Sequence, residues 1–260
     1  MGEISYKPLL EDMTWSYSRV NCFNSCPYQF YLKYIAKVPK VPQFYSSFGS
    51  FMHSLLEQYY KGEIEANELV SKYTLEYLSR VEGERPRGDT ATKYFNSGLE
   101  YFQNFKPFDL ETVAVEKRIN FKVGKYPFQG IIDYIGKKSD ELCLIDHKSR
   151  LLKPRSRRRT PTVKDKELDE MQKQLYLYSF GMKESLGEFP DYICFNCFRN
   201  GNLIKEPFDM RKAKNALTQM EQDIEYIINT EDFHPTIDWF FCHNLCDVKD
   251  ECCYCEEGRN

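Results

Sequence analysis

Residues 129–149, QGIIDYIGKKSDELCLIDHKS, constrain this chain more than any other stretch. They read as two short apolar strands, GIIDYIG and ELCLIDHKS, joined by the polar turn KKSD. Strand side chains alternate between faces, so Leu142, Leu144, Asp146 and Lys148 share one side while Cys143, Ile145 and His147 take the other. Asp133 shares its face with Ile131 and Ile135, so each strand is largely apolar and carries an acid near its end. A buried, unpaired carboxylate costs several kcal/mol or takes up a proton. Two such acids brought together would repel by roughly 4 kcal/mol at about 4 Å and an effective dielectric near 20. A divalent cation turns that repulsion into binding, and oxygen donors suit magnesium or manganese. Lys148, beside Asp146, is then placed to act on a substrate phosphate or on an attacking water. An acid-x-lysine triplet alone more often marks a surface ion pair. Here the apolar run before it and the second acid upstream single it out.

Length and hydrophobic content, 260 residues and 42%, suit one sizeable domain or a core with extensions. A formal charge of −3 excludes a basic coat over the whole surface, so any nucleic-acid contact must be local. No apolar run of about 18 residues and no apolar signal region occur, so the expectation is a soluble, cytoplasmic protein without membrane contact. In that setting, clustered cysteines read as metal or cluster ligands rather than disulfides. The tail FFCHNLCDVKDECCYCEE holds five of the ten cysteines. Cys242, Cys246 and Cys252 give C-x3-C-x5-C, with Cys253 and Cys255 as competitors. The absence of a G-x-x-x-x-G-K loop excludes a nucleotide-driven motor within these residues.

Taken in order, residues 1–15 read as a loose lead-in. SYSRVNCFNSCPYQFYLKYI reads as a helix, a turn at Ser25-Cys26-Pro27 and a second helix with Pro27 in its first turn. Residues 48–60 place apolar side chains on one helical face, with His53 at its margin. Residues 65–82 and 91–105 read as two further helices, and ETVAVEKRINFKV, which contains Glu116, as a strand. The most basic segment, LLKPRSRRRTPTVKDKE, leaves the strand that carries Lys148. Arg155, Arg157, Arg158 and Arg159 there are expected to grip a nucleic-acid backbone over the site, although such runs are as often simply solvated. In the helix expected at 168–186, Gln174 and Tyr178 are four apart and share a face. DYICFNCF and NLIKEPF read as a hairpin about Asn200-Gly201, with Cys194 and Cys197 pointing to opposite faces. Residues 209–229 read as a closing helix.

The pair GIIDY and LIDHKS resembles the core of the PD-(D/E)xK nuclease superfamily, specifically its RecB-type branch. The G-x-x-x-H-x-x-L-E around His53 resembles that branch's first motif, and Gln174-x-x-x-Tyr178 its last. The resemblance implies a restriction-endonuclease-like α/β core, with a central mixed sheet flanked by helices, over residues 111–230. An N-terminal helical region would cover 1–110 and a cysteine-rich segment 231–260, the whole forming one compact unit. It further implies that His53, Asp133, Asp146 and the carbonyl of His147 bind magnesium or manganese, and that Lys148 is catalytic. Gln174 and Tyr178 would position the strand or the lysine, with Gln172 a less favoured alternative to Gln174. Glu116 matches an acid that many relatives carry ahead of the G-x-x-D strand; a cross-strand pair with a lysine is the competing account. Cluster-bearing members of the branch, AddB-like and CRISPR-adaptation-nuclease-like, hold a 4Fe–4S centre with one cysteine near the N-terminus and three at the C-terminus. Cys26, better than Cys22, would join Cys242, Cys246 and Cys252. The usual spacing there is C-x2-C-x5-C, so the extra residue leaves the choice of tail cysteines open and keeps zinc as an alternative. The implied activity is metal-dependent hydrolysis of single-stranded or end-containing DNA, with a helicase or a recombination or CRISPR protein as partner. A non-catalytic nucleic-acid-binding or scaffolding protein that keeps the fold is the competing class, and a zinc-stapled interaction domain is a third reading.

Overall fold

The computed structural model describes residues 5–255. Helices α1 (Lys7–Glu11), α2 (Tyr17–Ser25), α3 (Pro27–Phe30), α4 (Phe44–Tyr60), α5 (Leu69–Arg80) and α6 (Thr90–Gln103) precede the sheet. Strands β1 (Glu111–Val123), β2 (Tyr126–Lys138) and β3 (Glu141–Lys148) follow, then α7 (Val163–Leu186), β4 (Tyr192–Cys197) and β5 (Asn202–Pro207). Helices α8 (Met210–Ile228) and α9 (Trp239–Asn244) close the chain. The five strands lie in chain order in one sheet. All neighbours are antiparallel except β3 and β4, which run parallel and therefore need the long crossover that α7 supplies. This is the mixed sheet flanked by helices that the motif pattern implies.

The second half of β1 alternates strictly, with Ile119, Phe121 and Val123 buried and Asn120 and Lys122 exposed. β3 is buried along both faces because each is covered. Leu142 and Leu144 enter the core shared with α2, α7 and α8, while Cys143 and Ile145 enter a smaller cluster on the other side. Cys194 and Cys197 divide between these clusters in the same way. α4, α5 and α6 pack around a separate aromatic core that includes Phe48, Phe51 and Tyr73.

Two expectations need correction. α7 begins at Val163, ahead of the expected residue 168, because Thr162 and Asp165 form a capping box there. The lead-in is not loose over its described part. Leu10 and Trp15 are fully buried, and Trp15 N–H donates to the Pro127 carbonyl at 2.8 Å while Gln129 N–H donates to the Trp15 carbonyl at 2.9 Å. That bridge fastens α2 against the end of β2. Among the described residues no helix is long and apolar enough to cross a membrane.

Candidate active site

The register builds the site. Ile135 pairs with Leu144 and Tyr134 with Ile145, so Asp133 and Asp146 are the next opposed positions. Opposed residues share a face, here the one bearing Ile135, Leu144 and α7. The ladder ends at this point: instead of a backbone carbonyl, Asp133 Oδ2 accepts the His147 N–H at 2.6 Å. On the other side of β2, Val115 pairs with Tyr134 and Lys117 with Ile132, which sets Glu116 opposite Asp133. Three acids thus stand in a row across three adjacent strands. Glu116 adopts a left-handed φ of 48° inside β1, a conformation that disfavours any residue with a Cβ.

α4 brings His53 over this row. Its Nδ1 is 3.5 Å from Asp133 Oδ2, and its Nε2 is 3.0 Å from the His147 carbonyl oxygen. A carbonyl only accepts, so Nε2 carries the hydrogen and Nδ1 is left as a lone pair beside Asp133. One ligand atom each from His53, Glu116 and Asp133 lie within 4.8 Å of one another. Asp146 stands outside this group. Its Oδ2 is 2.7 Å from Lys148 Nζ, yet it is buried and accepts no hydrogen bond, so the ammonium approaches off the lone-pair direction. The expected trio of His53, Asp133 and Asp146 is therefore reordered: Glu116 completes the tight group, and Asp146 faces the lysine. The His147 imidazole points to the opposite face, where its Nδ1 lies 2.9 Å from Asn196 Nδ2, so only its carbonyl reaches the site.

Burial dominates the electrostatics. It raises the Asp133 carboxyl well above its ordinary range, with the charge on Asp146 adding to the effect and the His147 N–H opposing it. Burial and the charges of Asp133 and Glu57 raise Glu116 to about 7. Burial also keeps His53 and His147 neutral by lowering both imidazoles. Burial thus favours the neutral carboxyl at Asp133 and Glu116 when no ion is bound; the donor set, one imidazole and several carboxylate or carbonyl oxygens, fits a hard divalent cation.

From α7, Gln174 Oε1 accepts from Lys148 Nζ at 2.9 Å, fixing the ammonium between amide and acid. Gln172 turns away, its Nε2 donating to Glu206 Oε2 at 2.8 Å. Tyr178 lies flat on β2, where a Cβ on Gly130 would come within 2.6 Å of its ring. Sequence reasoning missed Tyr17. Its hydroxyl donates to the Glu170 carbonyl at 3.3 Å, and burial, with the charges of Glu170 and Asp146, pushes the phenol up to about 12. Only the Trp15 bridge, invisible in the sequence, brings it there.

The basic loop divides. Arg155 is held by Asp169, at 2.6 Å, and by Glu206, at 3.2 Å, and so anchors the loop instead of facing substrate. Ser156 and Thr162 are both tied to Asp165. The exposed Arg157, Arg158 and Arg159 project from the arc between these ties. A cavity of about 870 Å³ opens on the opposite face of the sheet, lined by Tyr101, Phe108, Asn196 and Lys205, and Glu116, Asp133 and Asp146 do not line it.

A second constellation lies in the tail. Cys26, Cys242, Cys246, Cys252 and Cys255 line one small cavity. Cys22 instead donates to Gln29 Oε1 at 3.2 Å, and the exposed Cys253 has its sulfur 3.6 Å from the Tyr28 hydroxyl. Cys26 Sγ accepts the N–H groups of Gln29 and Thr236, each at 3.4 Å. Among the described residues the acid–histidine group is the only set of three or more ligand atoms within 4.8 Å of one another, so no three sulfurs approach that closely. A tetrahedral zinc with bonds of about 2.3 Å needs sulfurs about 3.8 Å apart.

An α/β fold with opposed acids and an acid-x-lysine strand end at the margin of a mixed sheet is the framework of a metal-dependent nuclease. The chain belongs to the PD-(D/E)XK nuclease superfamily, whose family model matches residues 14–253. A solved structure from Eubacterium rectale, described as that of a candidate exonuclease, is similar over 96% of this chain and 91% of its own, at 10% identity and a TM-score of 0.54. That likeness is one of fold. The structure of SSO0001 aligns over 94% of this chain and 87% of its own at 16% identity, with a TM-score of 0.36. No curated protein matches the chain.

Proposed function

We propose that this protein is a magnesium- or manganese-dependent deoxyribonuclease of the iron–sulfur RecB-type branch, hydrolysing phosphodiester bonds in single-stranded or end-containing DNA. The observation that carries the reading is the convergence of His53, Glu116 and Asp133 within 4.8 Å of one another, with the Asp146–Lys148 pair next in line. Buried acids crowded beside an imidazole repel one another, and a divalent cation turns that repulsion into binding. His53, Glu116, Asp133 and Asp146, with the His147 carbonyl, would hold the ion. Once bound, it would supply the Lewis acidity that makes water nucleophilic at neutral pH and offsets charge on the phosphate.

The chain's own residues do the remainder. Lys148, fixed by Gln174, directs its N–H groups at the attacking water or at the phosphate oxygens, where negative charge grows. Tyr178 and Gln174 form the wall against which the strand is positioned, and Arg157, Arg158 and Arg159 bind its backbone. Cys26, Cys242, Cys246 and Cys252 would hold a 4Fe–4S cluster, with Cys255 competing for a tail position. The five thiols around one cavity suit a bound metal centre, and the pairing of Cys26 with tail cysteines resembles the cluster-bearing branch. The deciding experiment is digestion of end-labelled single- and double-stranded DNA with and without manganese. Cleavage that appears only with the ion is expected; no cleavage of either substrate would overturn the reading.

A further inference from the structure

The π-helical segment Tyr31–Ala36 continues α3 and carries Tyr34. Around that one ring gather three cations: Arg19 Cζ at 5.3 Å from its centroid, Lys33 Nζ at 5.8 Å and Lys40 Nζ at 6.0 Å. Lys33 is neutralised by Asp247 Oδ2 at 2.8 Å. Arg19 and Lys40 make no ion pair with a carboxylate among the described residues. Like charges converge on a shared ring only against mutual repulsion, and the arrangement suits an external anion.

Tyr34 is tied to the start of β2 through two fully buried rings, Phe30 and Trp15. Tyr34 packs on Phe30 at 5.1 Å and Phe30 on Trp15 at 6.2 Å. Trp15 is hydrogen-bonded to β2 at Gln129, next to the Gly130 that Tyr178 covers. Tyr17, whose hydroxyl reaches α7, lies two residues before Arg19 on α2. Resting on the nuclease reading, we infer that Arg19 and Lys40, held by Tyr34, form a subsite for the sugar–phosphate backbone of the DNA strand, beyond the nucleotide being cut. Arg19 and Lys40 would each contact phosphate. Tyr34 is a positioning residue, its ring already occupied by the cations. The subsite lies on α2 and on the segment after Ala36, not on the arginine loop after β3, so a strand bound to both would be gripped at two separate places.

The test uses the full chain and labelled oligodeoxythymidylates from two to twelve nucleotides. Binding is read by anisotropy without added divalent ion over a salt series, and cleavage with manganese. The Arg19→Gln/Lys40→Gln double variant should bind the longest strand about tenfold more weakly. Its salt slope should be shallower by about 1.4, from about 0.7 for each lost contact to a single strand. Cleavage of the dinucleotide should stay at the wild-type rate, because that substrate does not reach the patch. Lys40→Gln alone, an exposed change that spares the fold, should lose half of the slope effect. Wild-type affinity and slope in both variants, or an equal loss with the dinucleotide, would overturn the inference while leaving the nuclease reading intact. A wild-type protein that neither binds nor cuts DNA would sink both.

Discussion

Glu116 faces Asp133 across the β1–β2 ladder, and it does so from a backbone in the left-handed region, φ 48°. Two acids opposed in a sheet repel, and a strand residue at positive φ is strained by about 1–3 kcal/mol. Both penalties fall on one residue, so the fold is being held against itself at this point. A divalent ion between the two carboxyls would offset both.

That relationship sets a pH dependence. Glu116 titrates near 7 in the folded, ion-free protein, above its ordinary 4.5, through burial and the charge of Asp133. The folded state therefore binds more protons than the unfolded chain between these values, and stability falls as pH rises through them. Melting curves of ion-free protein should show Tm dropping from about pH 4.5 to about pH 7 and recovering on adding manganese. Glu116→Gln should reduce the slope, with Asp133 supplying the remainder, and weaken manganese binding. A wild-type Tm independent of pH across that window would remove Glu116 from the site.

Asp146 and Lys148 should separate chemistry from folding. Asp146→Asn keeps the shape, removes the ligand charge and leaves Lys148 without its ion pair. Lys148→Met removes the ammonium held by Gln174. Each should lower the cleavage rate by at least about 100-fold, in line with the loss of one preorganised charge-stabilising group. Bound iron should remain at the wild-type level in both. Activity within a few-fold of wild type in either variant would refute the assignment.

The site's core was legible in the sequence because it depends on local rules. Alternation over ELCLIDHK fixes the faces of Asp146, Lys148 and His147, and the four-residue spacing of Gln174 and Tyr178 fixes theirs. Residues joined only by tertiary contact were not legible. Leu10 and Trp15 show no periodicity, so nothing marked residues 1–15 as part of the core, and Tyr17 was lost with them. The positive φ of Glu116 leaves no trace in ETVAVEKRINFKV. Arg155 looked like its neighbours because its partners, Asp169 and Glu206, lie 14 and 51 residues further on.

The arginine loop should therefore respond residue by residue. Arg155→Ala loses two partly exposed ion pairs and should destabilise the protein by about 1 kcal/mol while DNA affinity stays unchanged. Replacing Arg157, Arg158 and Arg159 together with alanine should leave Tm alone, weaken single-strand binding and reduce its salt slope by about 2. If affinity instead follows Arg155 and ignores the triple change, the loop has no role in gripping DNA.

The cysteine cavity offers a test that needs no substrate. Linking Cys26 to Cys242 through a cluster closes a loop of more than two hundred residues. By the loop-entropy estimate used for disulfides, this is worth on the order of 5 kcal/mol against the unfolded chain. Cys26→Ser should strip the iron and lower Tm by many degrees. Cys253→Ser, which alters an exposed sulfur that turns toward Tyr28 rather than into the cavity, should retain full iron and the same Tm. Metal analysis of anaerobically purified protein should find about four irons and no zinc. Cys255→Ser then distinguishes the two ways of filling the tail positions: unchanged iron leaves Cys242, Cys246 and Cys252 as the ligands, and lost iron replaces one of them with Cys255. A colourless protein that binds one zinc would mean that the thiols close in around a smaller ion, and the cluster assignment would fail.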